Sequence, residues 1–362
     1  MCRVANDTLQ GSRCGIPPDT LLDAIEGTLA DFLAAQIAGL DAIDPALGGF
    51  ARTTRDLVLG GGKRLRPTFA YWGWRGVARP GEPVDDVLPA LAALELMHTF
   101  ALVHDDVMDD SATRRGLPTA HRVLAAQHAR AGRLGDPDRF GTSTAILIGD
   151  LFLVWADQLL ARAPLPAATL LAVRARYDRM RIEAVAGQYL DLLGETEPDT
   201  WSVERALLVA RHKTASYTVH RPLQFGLALT GLARPAVDEV YHRYGRSVGE
   251  AFQLRDDLLG AYGDPAVTGK PAGDDLRTGK PTALLMLARE LATPAQRAEL
   301  AFDADIARRA EAIAATGAPA RIESMIGERV GAGIAALADA PIHAEARAAL
   351  TALAVRATQR SA

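Results

Sequence analysis

The chain has 362 residues, 49% of them hydrophobic, and its 40 basic and 44 acidic residues leave a formal net charge of −4. This composition excludes a disordered chain and leaves no overall field that would attract nucleic acid or an anionic membrane. The only cysteines, Cys2 and Cys14, lie in a polar N-terminal segment, which argues against a disulfide framework or a cysteine-bound metal in the core.

Neither a signal peptide nor a membrane span is predicted. No apolar signal region follows the start, and the most apolar run, AILIGDLFLVW from Ala145, is interrupted by Asp150. We therefore expect a cytoplasmic protein with a flexible N-terminal tail over residues 1–18 and one large domain over residues 19–362.

The hydrophobic pattern predicts an all-α fold. Apolar residues recur at spacings of three and four, and no segment alternates long enough to propose a sheet. Helices are predicted over 19–41, 84–110, 143–163, 167–193, 201–231, 236–261, 281–291 and 303–336. Stretches rich in glycine and proline separate them at 60–67, 78–83, 132–142, 194–199 and 262–281. None of these stretches is long and simple enough for an interdomain linker, and no fixed repeat is present, so one helical domain is favoured.

The first charged motif along the chain is GGGKRLRP, residues 60–67, which places Lys63, Arg64 and Arg66 on a glycine-rich turn. It lacks the Gly-x4-Gly-Lys-Ser/Thr spacing of a nucleotide-binding P-loop. The three cations predict an anion site, and the alternative is an ordinary basic start of a helix.

The second motif is the acidic end of the helix predicted over 84–110. Its carboxylates are Asp105, Asp106, Asp109 and Asp110, and Arg114 and Arg115 follow closely. Residues four apart share one helix face, so these like charges repel each other unless a cation intervenes. A solvated acidic face is the alternative, but the preceding apolar run LELMHTFALV indicates a buried helix, where carboxylates need counter-charge. Mg²⁺ suits such a site, because it binds one or two carboxylates together with water and phosphate oxygens.

A similar acidic helix end follows in GEAFQLRDDLLG, where Gln253 precedes Asp256 and Asp257 by three and four positions. The loop after it adds Asp274 and Asp275. The two acidic helix ends could face each other across a cavity.

Lysine is rare in this sequence and occurs only within such motifs, as Lys63, Lys213, Lys270 and Lys280. Either these four survive by chance, or the compact ammonium charge is needed there rather than the planar guanidinium of arginine. Mg²⁺ on one side and Lys/Arg on the other would together hold diphosphate groups.

Five stretches in this order resemble the trans-isoprenyl diphosphate synthases, the polyprenyl synthetase family, and in particular bacterial geranylgeranyl diphosphate synthases. They are GGGKRLRP, ELMHTFALVHDDVMDDSATRRGLPTAH, GQYLDL, KTASYT and GEAFQLRDDLLGAYGDPAVTGKPAGDDLRTGKPT, within about residues 20 to 340. The resemblance implies the isoprenoid synthase fold, a helical bundle around a central active-site cavity. It also implies a prenyltransferase that condenses isopentenyl diphosphate head-to-tail with an allylic diphosphate and requires Mg²⁺.

The resemblance also assigns roles to residues. Three Mg²⁺ ions are expected on Asp105, Asp106, Asp109, Asp256 and Asp257. The allylic diphosphate is expected on Arg114, Lys213 and Lys270, with Lys280 as a further substrate-binding lysine. The diphosphate of isopentenyl diphosphate is expected on Lys63, Arg66, His98 and Arg115. Polar groups near the reacting carbons are expected from Lys213, Thr214 and Gln188, with Gln253 beside the second acidic motif.

The helix predicted over 84–110 also contains two histidines, whose roles need to be assigned. His98 lies about two turns before Asp105 and could be a base, an anion donor or a satisfied core residue; the anion donor is favoured. The released diphosphate, rather than a side chain, is expected to remove the proton that the condensation releases. His104 is expected to be structural.

Product length depends, in this family, on side chains four and five positions before the first aspartate, here Ala101 and Phe100. One large and one small residue there resembles geranylgeranyl diphosphate synthases, so geranylgeranyl diphosphate is the expected main product, with farnesyl or longer prenyl diphosphates as alternatives. Ideal helix geometry places Ala101 about 40° and Phe100 about 140° around the helix from Asp105, so periodicity does not decide whether Phe100 faces the tunnel.

One position departs from the family pattern: Gly260 stands where the second acidic motif usually ends in aspartate, which predicts at most a weaker affinity for Mg²⁺. A class I terpene cyclase is a less favoured alternative, because it needs no site such as Lys63, Arg66 and His98. A non-catalytic synthase subunit is disfavoured because such subunits lack the aspartates kept here. The resemblance alone implies a homodimer.

Overall fold

The computed structural model describes residues 18–197, 200–263, 273–301 and 305–359. Within these ranges the chain is almost entirely helical, which confirms the predicted all-α fold. The predicted flexible tail falls on residues 1–17, which lie outside the described residues, and Pro18 is the first residue of helix α1.

The N-terminal half contains α1 (Pro18–Ile43), a 3-10 turn (Pro45–Leu47), α2 (Gly48–Leu59), α3 (Leu65–Arg75) and α4 (Leu88–Met108). An antiparallel hairpin of two short strands, β1 (Thr113–Arg114) and β2 (Leu117–Pro118), follows α4, with Arg114 opposite Leu117. The chain continues with α5 (Ala120–Arg130), α6 (Pro137–Ala161) and α7 (Ala167–Thr196).

The C-terminal half begins with α8 (Val203–Ala210), a π-helical segment (Arg211–His220) and α9 (Arg221–Leu229), which run on without a break. It continues with α10 (Pro235–Tyr262), α11 (Asp274–Thr278), α12 (Ala283–Leu291), α13 (Pro294–Glu299), α14 (Ile306–Ala315), α15 (Ala318–Ala336) and α16 (Ala344–Thr358).

Several helix boundaries differ from the prediction. The helix expected over 303–336 is two helices, because Gly317 adopts a left-handed backbone (φ 80°) between α14 and α15. The expected break at 132–142 contains the start of α6, where the Asp136 side chain accepts a hydrogen bond from the backbone N–H of Asp138. Helices α2, α3, α5, α11, α13 and α16 were not predicted. Helix α3 is buried on nearly every side, so its sequence carries no amphipathic period.

Two buried helices place the acidic motifs. Helix α4 is apolar all round, with Leu91, Leu94 and Leu96 fully buried, and it packs against α6, α1 and α3. Helix α10 runs through both apolar cores: Tyr244 belongs to the larger and Leu254 to the smaller. Because packing fixes both helices along their lengths, their C-terminal ends hold the aspartates in defined positions.

Helix α6 is the one described helix whose length and apolar composition would allow it to cross a membrane. Core helices of globular proteins satisfy the same criteria, and Ile148, Phe152 and Leu159 of α6 are buried in the larger core. The helix therefore gives little support to a membrane span.

Candidate active site

The C-terminal ends of α4 and α10 border one cavity of about 950 Å³. Most residues predicted for the site line it: Lys63, Arg66, His98, Phe100, Ala101, Asp105, Asp109, Arg114, Arg115, Gln188, Lys213, Thr214, Gln253, Asp256, Asp257 and Lys280. Lys270 and the side chains of Asp274 and Asp275 lie outside the described residues. The two acidic helix ends thus share one cavity, as their sequences predicted.

The Asp105 carboxylate lies between two cations. Lys213 Nζ is 3.1 Å from Asp105 Oδ1, and Arg114 Nη2 donates to Asp105 Oδ2 at 3.0 Å. Burial alone would raise the pKa of Asp105, but Lys213, Arg114 and Lys280 outweigh burial and hold this pKa well below its usual value. Asp105 is therefore ionised at neutral pH.

Asp109, one turn further on, is held by Lys280, whose Nζ donates to Asp109 Oδ2 at 2.6 Å. Among the described residues, the buried oxygens Asp109 Oδ1 and Asp105 Oδ1 accept no hydrogen bond of good geometry. Unsatisfied carboxylate oxygens on one helix face are ligands that Mg²⁺ prefers. The described residues contain no ready-made cluster of three metal-binding side chains. Mg²⁺ needs none, because substrate phosphate and water complete its coordination.

Asp106 is placed differently from its two neighbours. It does not line the cavity: its carboxylate is 4% exposed at the residue level and lies against Arg114, with Nε to Oδ1 at 2.7 Å and Nη2 to Oδ1 at 2.6 Å. Asp106 thereby orients Arg114, whose guanidinium faces Asp105 from the hairpin after α4. Asp106 thus lies outside the cavity lining that contains Asp105 and Asp109, and its expected role in binding Mg²⁺ stays a prediction.

In the second acidic motif, Asp257 is anchored by hydrogen bonds. Gln253 Nε2 donates to Asp257 Oδ1 at 2.9 Å, and the backbone N–H of Ala283, the first residue of α12, donates to Asp257 Oδ2 at 3.2 Å. Gln253 is thus beside the second motif, as predicted. Asp256 and Gly260 both line the cavity. Gly260 is the residue that stands in place of the last aspartate expected in this motif.

Two carboxylates of this site were not predicted, Asp191 and Glu195 on α7. Asp191 Oδ2 lies 2.6 Å from Lys213 Nζ and 3.5 Å from Lys280 Nζ, so it joins the two lysines that hold the first acidic motif. Burial lowers the pKa of both lysines, but Asp105, Asp109 and Asp191 outweigh burial and raise it. Asp191 stands in the motif GQYLDL, three residues after Gln188, which was the available signal.

Glu195 lies one turn after Asp191 and 3.7 Å from Lys280 Nζ. Burial and the nearby carboxylates of Asp109 and Asp191 raise the pKa of Glu195. It thus adds a weakly acidic group to the anionic side of the cavity.

A second cationic group surrounds Tyr217 of the π-helical segment. The guanidinium carbon of Arg66 lies 4.2 Å from the Tyr217 ring centroid, and Arg66 Nη2 donates to Thr218 Oγ1 at 2.8 Å. The Tyr217 hydroxyl is 3.4 Å from His98 Nδ1. Burial, followed by the charges of Arg66 and Arg115, lowers the pKa of His98 well below its usual value, so His98 is neutral. Tyr217 was missed, although KTASYT contains it.

The glycine-rich turn before α3 carries the remaining cations. Lys63 is exposed and lines the cavity, and Arg115 donates to the carbonyl of Gly61. A side chain at Gly62 would meet the Arg115 guanidinium at 3.1 Å, so the glycines let the turn approach Arg115 closely.

Arg64 corrects the expectation that all three cations of this turn bind anions. Its three side-chain nitrogens donate to Glu26 Oε1 and Glu95 Oε2, each at 2.8 Å, and to the carbonyl of Val58 at 2.7 Å. Arg64 therefore joins α1, α2 and α4, and each of its side-chain nitrogens already has an acceptor within the protein.

The other end of the cavity is apolar. Phe100 and Ala101 both line it, which resolves the orientation that helix periodicity left open. Val185 of α7, Val209 of α8 and Phe252 of α10 complete this wall. Gln188 and Thr214 lie in the same lining, and Gln188 Nε2 is 3.6 Å from Met108 Sδ. The cavity therefore suits a molecule with an anionic head and a hydrocarbon tail.

Comparison with known proteins agrees with this geometry. The polyprenyl synthetase family profile matches residues 50–315. Geranylgeranyl pyrophosphate synthase from Corynebacterium glutamicum, solved with isoprenyl diphosphate and magnesium, has a TM-score of 0.91 and 41% identity, covering 96% of this chain and 100% of that chain.

Two curated relatives are similar over most of their lengths. Geranylgeranyl diphosphate synthase from Mycobacterium tuberculosis is 34% identical over 287 residues, 77% of this chain and 75% of the relative. Geranylfarnesyl diphosphate synthase from Aeropyrum pernix is 34% identical over 271 residues, 72% of this chain and 78% of the relative. These relatives share head-to-tail condensation but are named for products of different length. The chain belongs to the polyprenyl synthetase family and is a prenyltransferase with the isoprenoid synthase fold.

Proposed function

We propose that this prenyltransferase is a geranylgeranyl diphosphate synthase, extending an allylic diphosphate with isopentenyl diphosphate. The observation that carries the proposal is the cavity itself, with carboxylates and lysines at one end and Phe100 beside Ala101 at the other. The volume of about 950 Å³ lies at the upper end of the range of ligand pockets, roughly 300–1,000 Å³, as a site for a long prenyl chain requires. The names of the Corynebacterium and Mycobacterium relatives support the same product.

The anionic end would hold the allylic diphosphate. Asp105, Asp109 and Asp256 would hold Mg²⁺, for which we propose three ions, while Asp257 and Asp106 orient Gln253, α12 and Arg114 through the hydrogen bonds described above. Bound Mg²⁺ would supply positive charge that stabilises the departing diphosphate. Arg114, Lys213 and Lys280 supply further positive charge, and Lys270 is proposed to join them.

The diphosphate of isopentenyl diphosphate would lie on the second cationic group, at Lys63, Arg66 and Arg115. The neutral His98 contributes a hydrogen bond rather than a charge, because its pKa is lowered. The allylic C1–O bond breaks with its electron pair passing to diphosphate, and the double bond of isopentenyl diphosphate forms the new C–C bond to C1. The attack leaves a tertiary cation at C3 of the isopentenyl unit. A proton then leaves C2 for the released diphosphate, and its C–H electron pair becomes the new C2=C3 double bond. Gln188 and Thr214 line the same cavity, where their dipoles would steady the cation.

The test is a purified-protein assay with Mg²⁺, isopentenyl diphosphate and each of dimethylallyl, geranyl and farnesyl diphosphate. Prenyl alcohols are separated by chain length after phosphatase treatment. A C20 alcohol as the main product from all three primers supports the proposal. Mainly C15 or longer alcohols would keep the condensation and reject the geranylgeranyl assignment, and no condensation would indicate a chain that needs a partner subunit.

Replacement of Phe100 by alanine is expected to shift the main product from C20 to longer chains, because the bulky wall of the apolar end is removed. The product distribution from farnesyl diphosphate and isopentenyl diphosphate measures the shift. Phe140→Ala is the matched control and should keep the wild-type product, since Phe140 of α6 lies outside the cavity lining. An unchanged C20 product in Phe100→Ala would show that Phe100 does not limit chain length.

We further propose a homodimer that covers α6 and α7. Both helices carry large exposed apolar side chains: Ile146, Leu147, Val154, Leu171, Ile182, Val185 and Tyr189. Ile182, Val185 and Tyr189 recur at three and four spacing and so form one face of α7. Val185 and Tyr189 also line the cavity while 58% and 66% exposed, so a second copy would close the cavity wall from outside.

The expected result for Ile182→Glu is a monomer in sedimentation equilibrium, because a charge in an apolar interface costs desolvation energy. Leu134→Glu, at a 97% exposed apolar residue outside these helices, should sediment like the wild type. A wild-type monomer at micromolar concentration would overturn the dimer proposal.

A further inference from the structure

The side chain of His104, one residue before Asp105, is packed between α4 and α6. Its Nε2 lies 3.0 Å from the carbonyl oxygen of Ile146, and because a carbonyl only accepts, Nε2 carries the proton. A Cβ added at Gly149 would lie far inside van der Waals contact with the His104 imidazole. The imidazole thus fills the notch that Gly149 leaves in α6, with Asp150 Oδ1 a further 3.9 Å from Nε2.

The same imidazole supports the apolar wall. Phe100 and His104 are four residues apart on α4, and their ring centroids are 4.9 Å apart at an interplanar angle of 67°. This edge-to-face geometry favours one orientation of each ring. Phe100 and His104 both line the cavity, and the hydrogen bond and the notch fix His104 to α6. A chain of contacts therefore runs from Ile146 and Gly149 through His104 to Phe100.

We propose that His104 is a positioning residue for chain-length selection: seated in the Gly149 notch, it holds the Phe100 ring across the end of the apolar cavity. The inference rests on the proposed synthase function and deepens it. Loss of the seat would let the Phe100 ring turn aside, so that chains grow further before release. His104 itself need not touch the substrate.

Two variants disrupt the packing of the His104 imidazole against Gly149, one from α4 and one from α6. His104→Ala removes the imidazole, and Gly149→Ala displaces it from α6 without changing any residue of α4. Alanine also favours a helix more than glycine does, so Gly149→Ala tests the seat without weakening α6 itself. In both we expect the ratio of longer products to the wild-type product to rise by roughly tenfold, since one hydrogen bond and one aromatic contact are lost. The double variant Phe100→Ala/His104→Ala should give the same distribution as Phe100→Ala alone.

His128 provides the matched control. It makes the same two contacts away from the cavity, with its ring centroid 4.6 Å from that of Phe140 and Nε2 3.2 Å from the carbonyl oxygen of Leu134. His128→Ala should leave product length as in the wild type.

Unchanged product ratios in both His104→Ala and Gly149→Ala would overturn the inference. So would further lengthening in the double variant, because His104 would then act independently of Phe100. Failure of the proposed function is recognised separately, because the wild-type protein would then make no C20 product. The test of His104 does not depend on that result, because the product ratios of the variants are measured relative to the main product of the wild type.

Discussion

Replacing Asp105 by asparagine is expected to lower kcat on the order of 10³-fold, as removal of one strong electrostatic group from a preorganised site typically does. Asparagine keeps the size and removes the charge that Lys213 and Arg114 hold ionised. The fold should survive, because Lys213 keeps Asp191 at 2.6 Å and Arg114 keeps Asp106 at 2.6 Å. Steady-state rates with farnesyl diphosphate and isopentenyl diphosphate across a Mg²⁺ titration measure the effect.

Asp110→Asn is the matched control for Asp105→Asn. Asp110 belongs to the same acidic run but is exposed and pairs with Arg122 at 2.8 Å, away from the cavity. Its kcat should stay within about threefold of wild type, as for most surface substitutions. An Asp105→Asn enzyme with a rate similar to that of Asp110→Asn would show that the first acidic motif does not hold the metal.

The Arg64→Met variant is expected to lose about 3–5 kcal/mol in free energy of unfolding, because it leaves the Glu95 carboxylate buried without its cation. The side chains of Arg64 and Glu95 are 4% and 3% exposed. Burial would lower the pKa of Arg64, but Glu95 and Glu26 outweigh it and raise this pKa, so the arginine is charged at all working pH values. Urea unfolding, monitored by circular dichroism, gives the midpoint and the slope from which the free energies of unfolding of variant and wild type are compared.

Two further variants separate burial of charge from substrate binding. Arg64→Met/Glu95→Leu removes both charges and should recover most of the lost stability. Lys63→Gln changes the exposed residue next to Arg64, so the free energy of unfolding should stay within about 0.5 kcal/mol of wild type. Because Lys63 lines the cavity, KM for isopentenyl diphosphate should rise. Full stability of Arg64→Met together with a raised KM would instead return Arg64 to the anion site.

The sequence was most informative where charge and motif order carried the signal. Three of its four lysines, Lys63, Lys213 and Lys280, line the cavity. The fourth lies outside the described residues. Helices with a clear apolar stripe were predicted from the sequence. Helix α3 was not, since it is buried on nearly every side and uniform burial erases the 3.6-residue period.

The local sequence could not separate neighbouring residues with different roles. Lys63 and Arg64 differ because the chain turns left-handed at Arg64 (φ 44°) and directs its side chain to Glu26 and Glu95. Similarly, Asp105 and Asp106 project about 100° apart on α4, so one faces the cavity and the other faces Arg114.

The sequence by itself determined the all-α class, the family and the two acidic motifs, because helical periodicity and ordered motifs are local properties of the chain. Only the tertiary structure decided which groups converge. Asp191 joins Lys213 and Lys280, Tyr217 joins Arg66 and His98, and the ring of Phe100 lies on an imidazole held by α6. Such contacts join residues distant in sequence, and their geometry follows from how whole helices pack against each other.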